Sequence, residues 1–168
     1  MDTSREEGLI GPDHPPNPND CYAESKVGGE KVLFASGMPY VNLRISAIAL
    51  PVFLDPPEPW PFTAAQRIEL IALSDLVTAL VSVVRKAPAT STTLLLAGGR
   101  TWQMSGEQYV RQWGEVMEIP FEEMHFKETP GWLNWYDTRS SQELLDYQNT
   151  PWNSFLDQLR DAVAEALA

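Results

Sequence analysis

The chain has 168 residues, 43% hydrophobic, 10% aromatic and 21% charged, the composition of a globular protein able to bury roughly 70% of the surface its unfolded form exposes. Twelve Lys and Arg against 23 Asp and Glu give a formal charge of −11, which opposes binding to nucleic-acid phosphates and anionic membranes. One cysteine, Cys21, and two histidines, His14 and His125, supply neither an internal disulfide nor a zinc ligand set. No apolar run reaches the ~18 residues of a membrane span, so the sequence is read as cytoplasmic and metal-free.

Residues 1–19 carry Pro12, Pro15, Pro16 and Pro18 with Gly8 and Gly11, which remove backbone donors and predict a loop. Residues 20–168 are read as a single α/β domain. Asp20 is an N-cap residue, and Tyr22, Lys26, Glu30 and Leu33 recur at helical spacing, predicting a helix over 20–36 closed by Gly37. Gly28 and Gly29 inside it each cost about 1 kcal/mol relative to alanine, which implies close approach of another backbone. Tyr40 to Ile48 reads as a buried strand between Pro39 and Pro51. Pro51, Pro56, Pro57, Pro59 and Pro61 then predict an irregular surface segment.

Arg67 to Leu73 reads as a second strand, followed by a helix capped by Ser74 and running through Arg85 with Leu76, Leu80, Val83 and Val84 on its apolar face. Thr92 to Ala97 is a short buried strand ending at Gly98-Gly99. Ser105 and Gln108 form a capping-box pair that opens a helix to about Met117. Residues 122–126 read as a further strand. Two helices close the chain, one over 140–145 and one over 151–166 with Thr150 as cap and Pro151 in the first position. Strands alternating with helices predict the α/β class with a mainly parallel sheet of three or four strands.

The sharpest chemical pattern is Tyr22-Ala-Glu-Ser-Lys26. An i, i+4 pair sets phenol and ammonium on one helix face, and a nearby positive charge favours the ionised form of a phenol, as general acid or base work requires. The ordinary alternative is two side chains on a solvated face. His14 and His125 lack an accompanying nucleophile motif and read as structural or solvent-facing. Asp55, Glu58, Glu122, Glu123 and Glu128 read as solubilising charge, and Trp132, Trp135 and Tyr136 as core in preference to the lining of a pocket.

Four segments in order carry a wider pattern: DHPPNPNDCYAESKVGGEKVL, GMPYVNLRISAIALP, QRIELIALSDLVTALV and TTLLLAGGRTWQMSGEQYV. The set resembles the extended short-chain dehydrogenase/reductase family, whose Tyr-x-x-x-Lys helix with a Gly-Glu pair is matched by Tyr22, Lys26, Gly29 and Glu30. The following leucine-arginine strand with a closing proline is matched by Leu43, Arg44 and Pro51, and a strand leading into an aspartate-bearing helix by Ser74, Asp75 and Ala79. The resemblance implies a partial Rossmann-type parallel sheet plus a small α/β substrate-binding subdomain. It implies NAD or NADP as cofactor and a small-molecule hydroxyl or carbonyl substrate, as in epimerases, dehydratases and reductases. Tyr22 is then the acid or base, Lys26 holds the nicotinamide ribose and favours the phenolate, and the backbone of Ser46, Ala47 and Ile48 lies against the nicotinamide, where open α/β sheets bind ligands.

The sequence holds no Gly-x-x-Gly-x-x-Gly turn for a pyrophosphate, and the family's catalytic Ser/Thr falls upstream of Met1, Ser4 being too close to Tyr22. The expectation is therefore a C-terminal portion of an NAD(P)-dependent oxidoreductase or epimerase/dehydratase, inactive without an N-terminal cofactor-binding half. Its expected partner is that separate half or a second copy joined through the Tyr-Lys helix. The alternative is a non-catalytic interaction module derived from the same fold.

Overall fold

A computed structural model describes residues 8–86 and 91–168; Ser4 and the rest of 1–7, along with 87–90, lie outside the described residues. Helix α1 spans Cys21–Ala35, its N-cap Asp20 accepting from the Ala23 N–H at 2.7 Å. The exit is closed by Ser36, whose hydroxyl donates to Leu33 O, and by Gly37 at φ +68°, a left-handed turn that glycine adopts without strain. No residue of α1 is buried. A Cβ at Gly28 or Gly29 would meet nothing within 4 Å, so the close approach expected at these glycines does not occur among the described residues.

The single strand expected over 40–48 is two. β1, Val41–Ile45, pairs in parallel with β5, Thr92–Leu96, while β2, Ala47–Ala49, pairs in parallel with β4, Leu70–Ala72. The chain changes partners at Ser46, whose N–H still donates to Leu96 O at 2.9 Å. The second expected strand divides likewise into β3, Arg67–Ile68, and β4, because Glu69 turns inward between them. β3 pairs antiparallel with β6, Met104–Ser105. Three two-stranded sheets therefore stand where one partial parallel sheet is expected, and the two parallel pairs keep the architecture α/β and Rossmann-like.

Helix α2, Leu73–Lys86, begins one residue before Ser74, which lies in its first turn. Leu76 and Ala79 are buried, but Leu80 and Val84 face outward, Val84 at 84% exposure. Half of the apolar face expected for this helix thus points away from the core. Helix α3, Gly106–Met117, opens with the expected capping box, the Ser105 hydroxyl accepting from Gln108 N–H and the Gln108 side chain accepting from Ser105 N–H. Residues 121–123 form a 3-10 turn and Phe126 a single bridge to Trp60, in place of a strand. Helix α4 is Arg139–Leu145 and helix α5 Trp152–Leu167. Thr150 does not cap α5: its N–H and hydroxyl both donate to the buried Asp75 carboxylate, at 3.1 and 2.7 Å, binding the start of α2 to the start of α5.

The main core is aromatic. On one side Tyr109 and Trp113 meet Trp60 edge to face and Tyr109 meets Phe62 likewise; on the other Trp102 meets Trp152 edge to face and Phe155 stacks on Trp152. The turn after β5 approaches this cluster so closely that a Cβ at Gly98 would lie 2.6 Å from Leu70 O and inside the Trp102 ring. Gly98→Ala is expected to destabilise the fold by about 1–3 kcal/mol, the usual penalty of overpacking, read as a lower urea midpoint at unchanged slope.

Candidate functional site

The helix face carrying Tyr22, Lys26 and Glu30 looks across a cleft of about 740 Å³ at the segment from Asn42 to Ile48, with Trp132 and Tyr136 forming a further wall. All five residues singled out from the sequence, Tyr22, Lys26, Ser46, Ala47 and Ile48, line this one cleft. Tyr22 is 71% exposed, and Lys26 Nζ stands 5.1 Å from the centre of its ring. The two side chains meet because an i, i+4 spacing stacks them one turn apart. Opposite them, Ser46 is buried and its hydroxyl has no hydrogen-bond partner among the described residues, a group that a buried site leaves unmatched only at a cost.

Below this pair the two walls are joined. Glu30 accepts from Arg44 Nε and Nη2 at 2.8 and 2.7 Å and from Asn42 Nδ2 at 2.8 Å. The guanidinium holds the Glu30 carboxyl below its ordinary range. The remaining nitrogen of Arg44 donates to Pro12 O and His14 O, so the proline-rich loop is bound to β1.

The far wall depends on groups that the sequence reading passed over. Gln66, buried, grips the loop before Leu133: its side-chain nitrogen donates to Gly131 O and Leu133 O, and its oxygen accepts from Gly131 N–H at 2.7 Å. Trp132, read as core, is 42% exposed in the cleft, whereas Tyr136 is buried as expected. Glu69 is fully buried and accepts from Gly99 N–H, Gln103 Nε2 and Tyr136 N–H at 2.8 to 2.9 Å. Burial outweighs those three donors and pushes its carboxyl up to about 7. The available signal was an acid in the middle of the apolar run RIELIAL, which only an inward-facing carboxylate with partners explains.

The remaining sequence candidates lie elsewhere. His125 is exposed and meets Glu58 at 3.1 Å. Among the described residues no cluster of His, Cys, Asp and Glu has the makings of a metal site, and no helix is long and apolar enough to cross a membrane. The glycine pairs offer no phosphate cradle. The space beside Gly98 and Gly99 is filled by Trp102 and by Gln148, whose Oε1 would lie 2.6 Å from a Cβ at Gly99, and Gly28-Gly29 lies in the middle of α1 rather than at a helix N-terminus.

No protein-family model and no curated protein matches this sequence. Solved structures do match. The chain superposes with a TM-score of 0.76 and 17% identity on MoeE5 in complex with UDP-glucuronic acid and NAD, covering 95% of this chain and 60% of that one. For dTDP-glucose 4,6-dehydratase from Bacillus anthracis in complex with NAD the figures are 0.74, 12%, 95% and 57%. For a short-chain dehydrogenase/reductase superfamily protein from Agrobacterium tumefaciens with bound NAD they are 0.77, 15%, 98% and 64%. At such identities the likeness is one of fold, and the chain spans about 60% of the length of these structures.

Proposed function

We propose that this chain supplies the acid/base and substrate-facing part of an NAD(P)-dependent oxidoreductase or epimerase/dehydratase and works only together with a glycine-rich dinucleotide-binding half. The observation that carries this reading is the convergence of Tyr22, Lys26 and the Ser46–Ile48 segment on one cleft, on a fold shared with proteins crystallised with NAD. The residues present fit one end of such a cofactor. A cleft with an unmatched Ser46 hydroxyl and the Lys26 ammonium suits a nicotinamide and its ribose, while the described glycines leave the pyrophosphate without a seat.

When bound, the nicotinamide would take up or return the hydride of a carbon bearing a hydroxyl or carbonyl. Tyr22 handles the accompanying proton: its phenolate oxygen accepts the proton of the substrate hydroxyl on oxidation, and its phenol returns one to the carbonyl oxygen on reduction. Lys26, one turn along the helix, gives that phenolate a counter-charge and presents its remaining N–H donors to a ribose hydroxyl. The exposure of Tyr22 leaves room for both substrate and the second half.

A second reading, the non-catalytic interaction module, rests on α2, where Leu73, Val77, Leu80, Val81 and Val84 present an apolar stripe outward. Titration of the isolated chain with NADH, NADPH and nicotinamide mononucleotide, followed by fluorescence and amide chemical shifts, separates the two. The oxidoreductase reading expects all three to bind equally weakly, near a millimolar constant, with shifts gathered at Tyr22, Lys26 and Ser46–Ile48. Micromolar dinucleotide binding would remove the need for a second half, and absence of shifts at those residues would leave the interaction module standing.

A further inference from the structure

We infer that Arg44 is a positioning residue that sets the register of α1 against β1 and thereby decides that Tyr22 and Lys26 stand opposite Ser46 and Ile48. The chemical purpose of that register rests on the function proposed above; the register itself is a matter of geometry.

Helix α1 has no fully buried residue, its apolar Ala23, Val27 and Leu33 being only partly covered. Its ties to the strand run in antiparallel order: the Phe34 ring lies 5.2 Å from that of Tyr40, and Glu30, one turn earlier in the helix, binds Asn42 and Arg44 further along the strand. From the Glu30–Arg44 contact, four helix residues back to Lys26 advance about 6 Å, and two strand residues on to Ser46 advance about 6.6 Å. Eight helix residues reach Tyr22 at about 12 Å, and four strand residues reach Ile48 at about 13 Å. The two ladders therefore stay in step over the length of the cleft, and one bidentate pair determines both levels.

Arginine is suited to this where lysine is not. Its planar fork makes two parallel bonds to one carboxylate, which fixes direction as well as distance. The third nitrogen is also engaged, at 3.0 Å from Pro12 O and 2.9 Å from His14 O. Those carbonyls belong to the loop that runs into the N-cap Asp20, so a single side chain grips α1 in its second half and at the approach to its first turn. The pair is largely shielded, with 14% and 15% side-chain exposure, where water screens a charge contact much less than on an open surface.

The experiment uses Cys21, the only cysteine of the chain, exposed at the start of α1. One nitroxide is placed there and another on Ser154→Cys in α5, and the distance distribution is read by pulsed electron resonance alongside amide exchange of α1. The unaltered pair should give one narrow distance. Arg44→Met should broaden it and speed α1 exchange by about ten- to a hundredfold, the factor lost with charge-assisted hydrogen bonds, with the near-ultraviolet signal of the aromatic core unchanged. The charge-swapped chain, Glu30→Arg with Arg44→Glu, should narrow the distribution part of the way back, since a carboxylate at position 44 restores the tie to α1 and cannot donate to Pro12 O and His14 O.

An Arg44→Met distribution as narrow as the parent, or a swap as broad as Arg44→Met, overturns the inference. Should Arg44→Met fail to fold, Arg44→Lys takes its place: intermediate broadening supports the role, while a parent-like distribution or loss of the core signal overturns it. None of these readings needs turnover, so a failure here is distinct from a failure of the nicotinamide titration.

Discussion

Glu69→Ala is expected to lower the unfolding free energy by about 4 kcal/mol, because it strands the buried Gly99 and Tyr136 N–H groups, which each cost about 1–3 kcal/mol without a partner, and leaves the Gln103 amide only its bond to Tyr136 O. For a chain of this size that is a fall of roughly 10 °C in melting temperature. The Gly99 N–H, the Gln103 amide and the Tyr136 N–H belong to three separate segments, and the Glu69 carboxylate is the group at which they meet. The same residue gives a pH signature. Its carboxyl is raised to about 7 in the fold against an ordinary 4.5, so the stabilisation is complete below about pH 4.5 and is lost as pH rises through 7. The difference amounts to about 3 kcal/mol. Urea unfolding of the parent and of Glu69→Gln across that range checks it: the parent should lose stability relative to the glutamine variant, and parallel curves would show that the group does not titrate there. Since Tyr136 lines the cleft, Glu69→Ala should also loosen that wall, seen as faster amide exchange at Tyr136.

The second large effect is expected at Tyr22. In a complex with a dinucleotide-binding half that restores turnover, Tyr22→Phe should lower kcat by about 10²- to 10⁴-fold, the usual contribution of a positioned acid or base. Phenylalanine keeps the ring and its contact with Lys26 while removing the oxygen that carries the proton, and at 71% exposure it disturbs no packing. Binding of nicotinamide mononucleotide by the chain alone should therefore change little. Steady-state kinetics paired with that titration makes the check. A Tyr22→Phe complex with parental kcat would assign the proton transfer to another group and remove Tyr22 from the mechanism.

Much of this architecture is legible because its causes are local. The capping box at Ser105 and Gln108, the Asp20 cap and the left-handed Gly37 are each settled within four residues, and the helices they bound end where the pattern says. The cleft residues were legible for a similar reason. Tyr22, Lys26 and Glu30 share a face through helical period alone, whereas Ser46, Ala47 and Ile48 enter only through the family resemblance. Errors arose where a distant segment outcompeted the local rule. Thr150 reads as a cap for α5, yet Asp75, 75 positions away, holds its hydroxyl. The apolar run from Arg67 reads as one strand, yet Glu69 divides it to reach Gly99, Gln103 and Tyr136. Gly28-Gly29 suggests close packing, and nothing among the described residues comes near.

What the sequence alone determined is the set of helices and the α/β class, since short-range backbone preference and side-chain period suffice for these. Only the tertiary structure decided that strand partners change at Ser46, that Trp132 faces the cleft, and that Glu69 is buried among three hydrogen-bond donors. Each of those outcomes depends on which remote donor or ring is close enough to compete with water for the group, and that is a property of packing with no counterpart in the order of neighbouring residues.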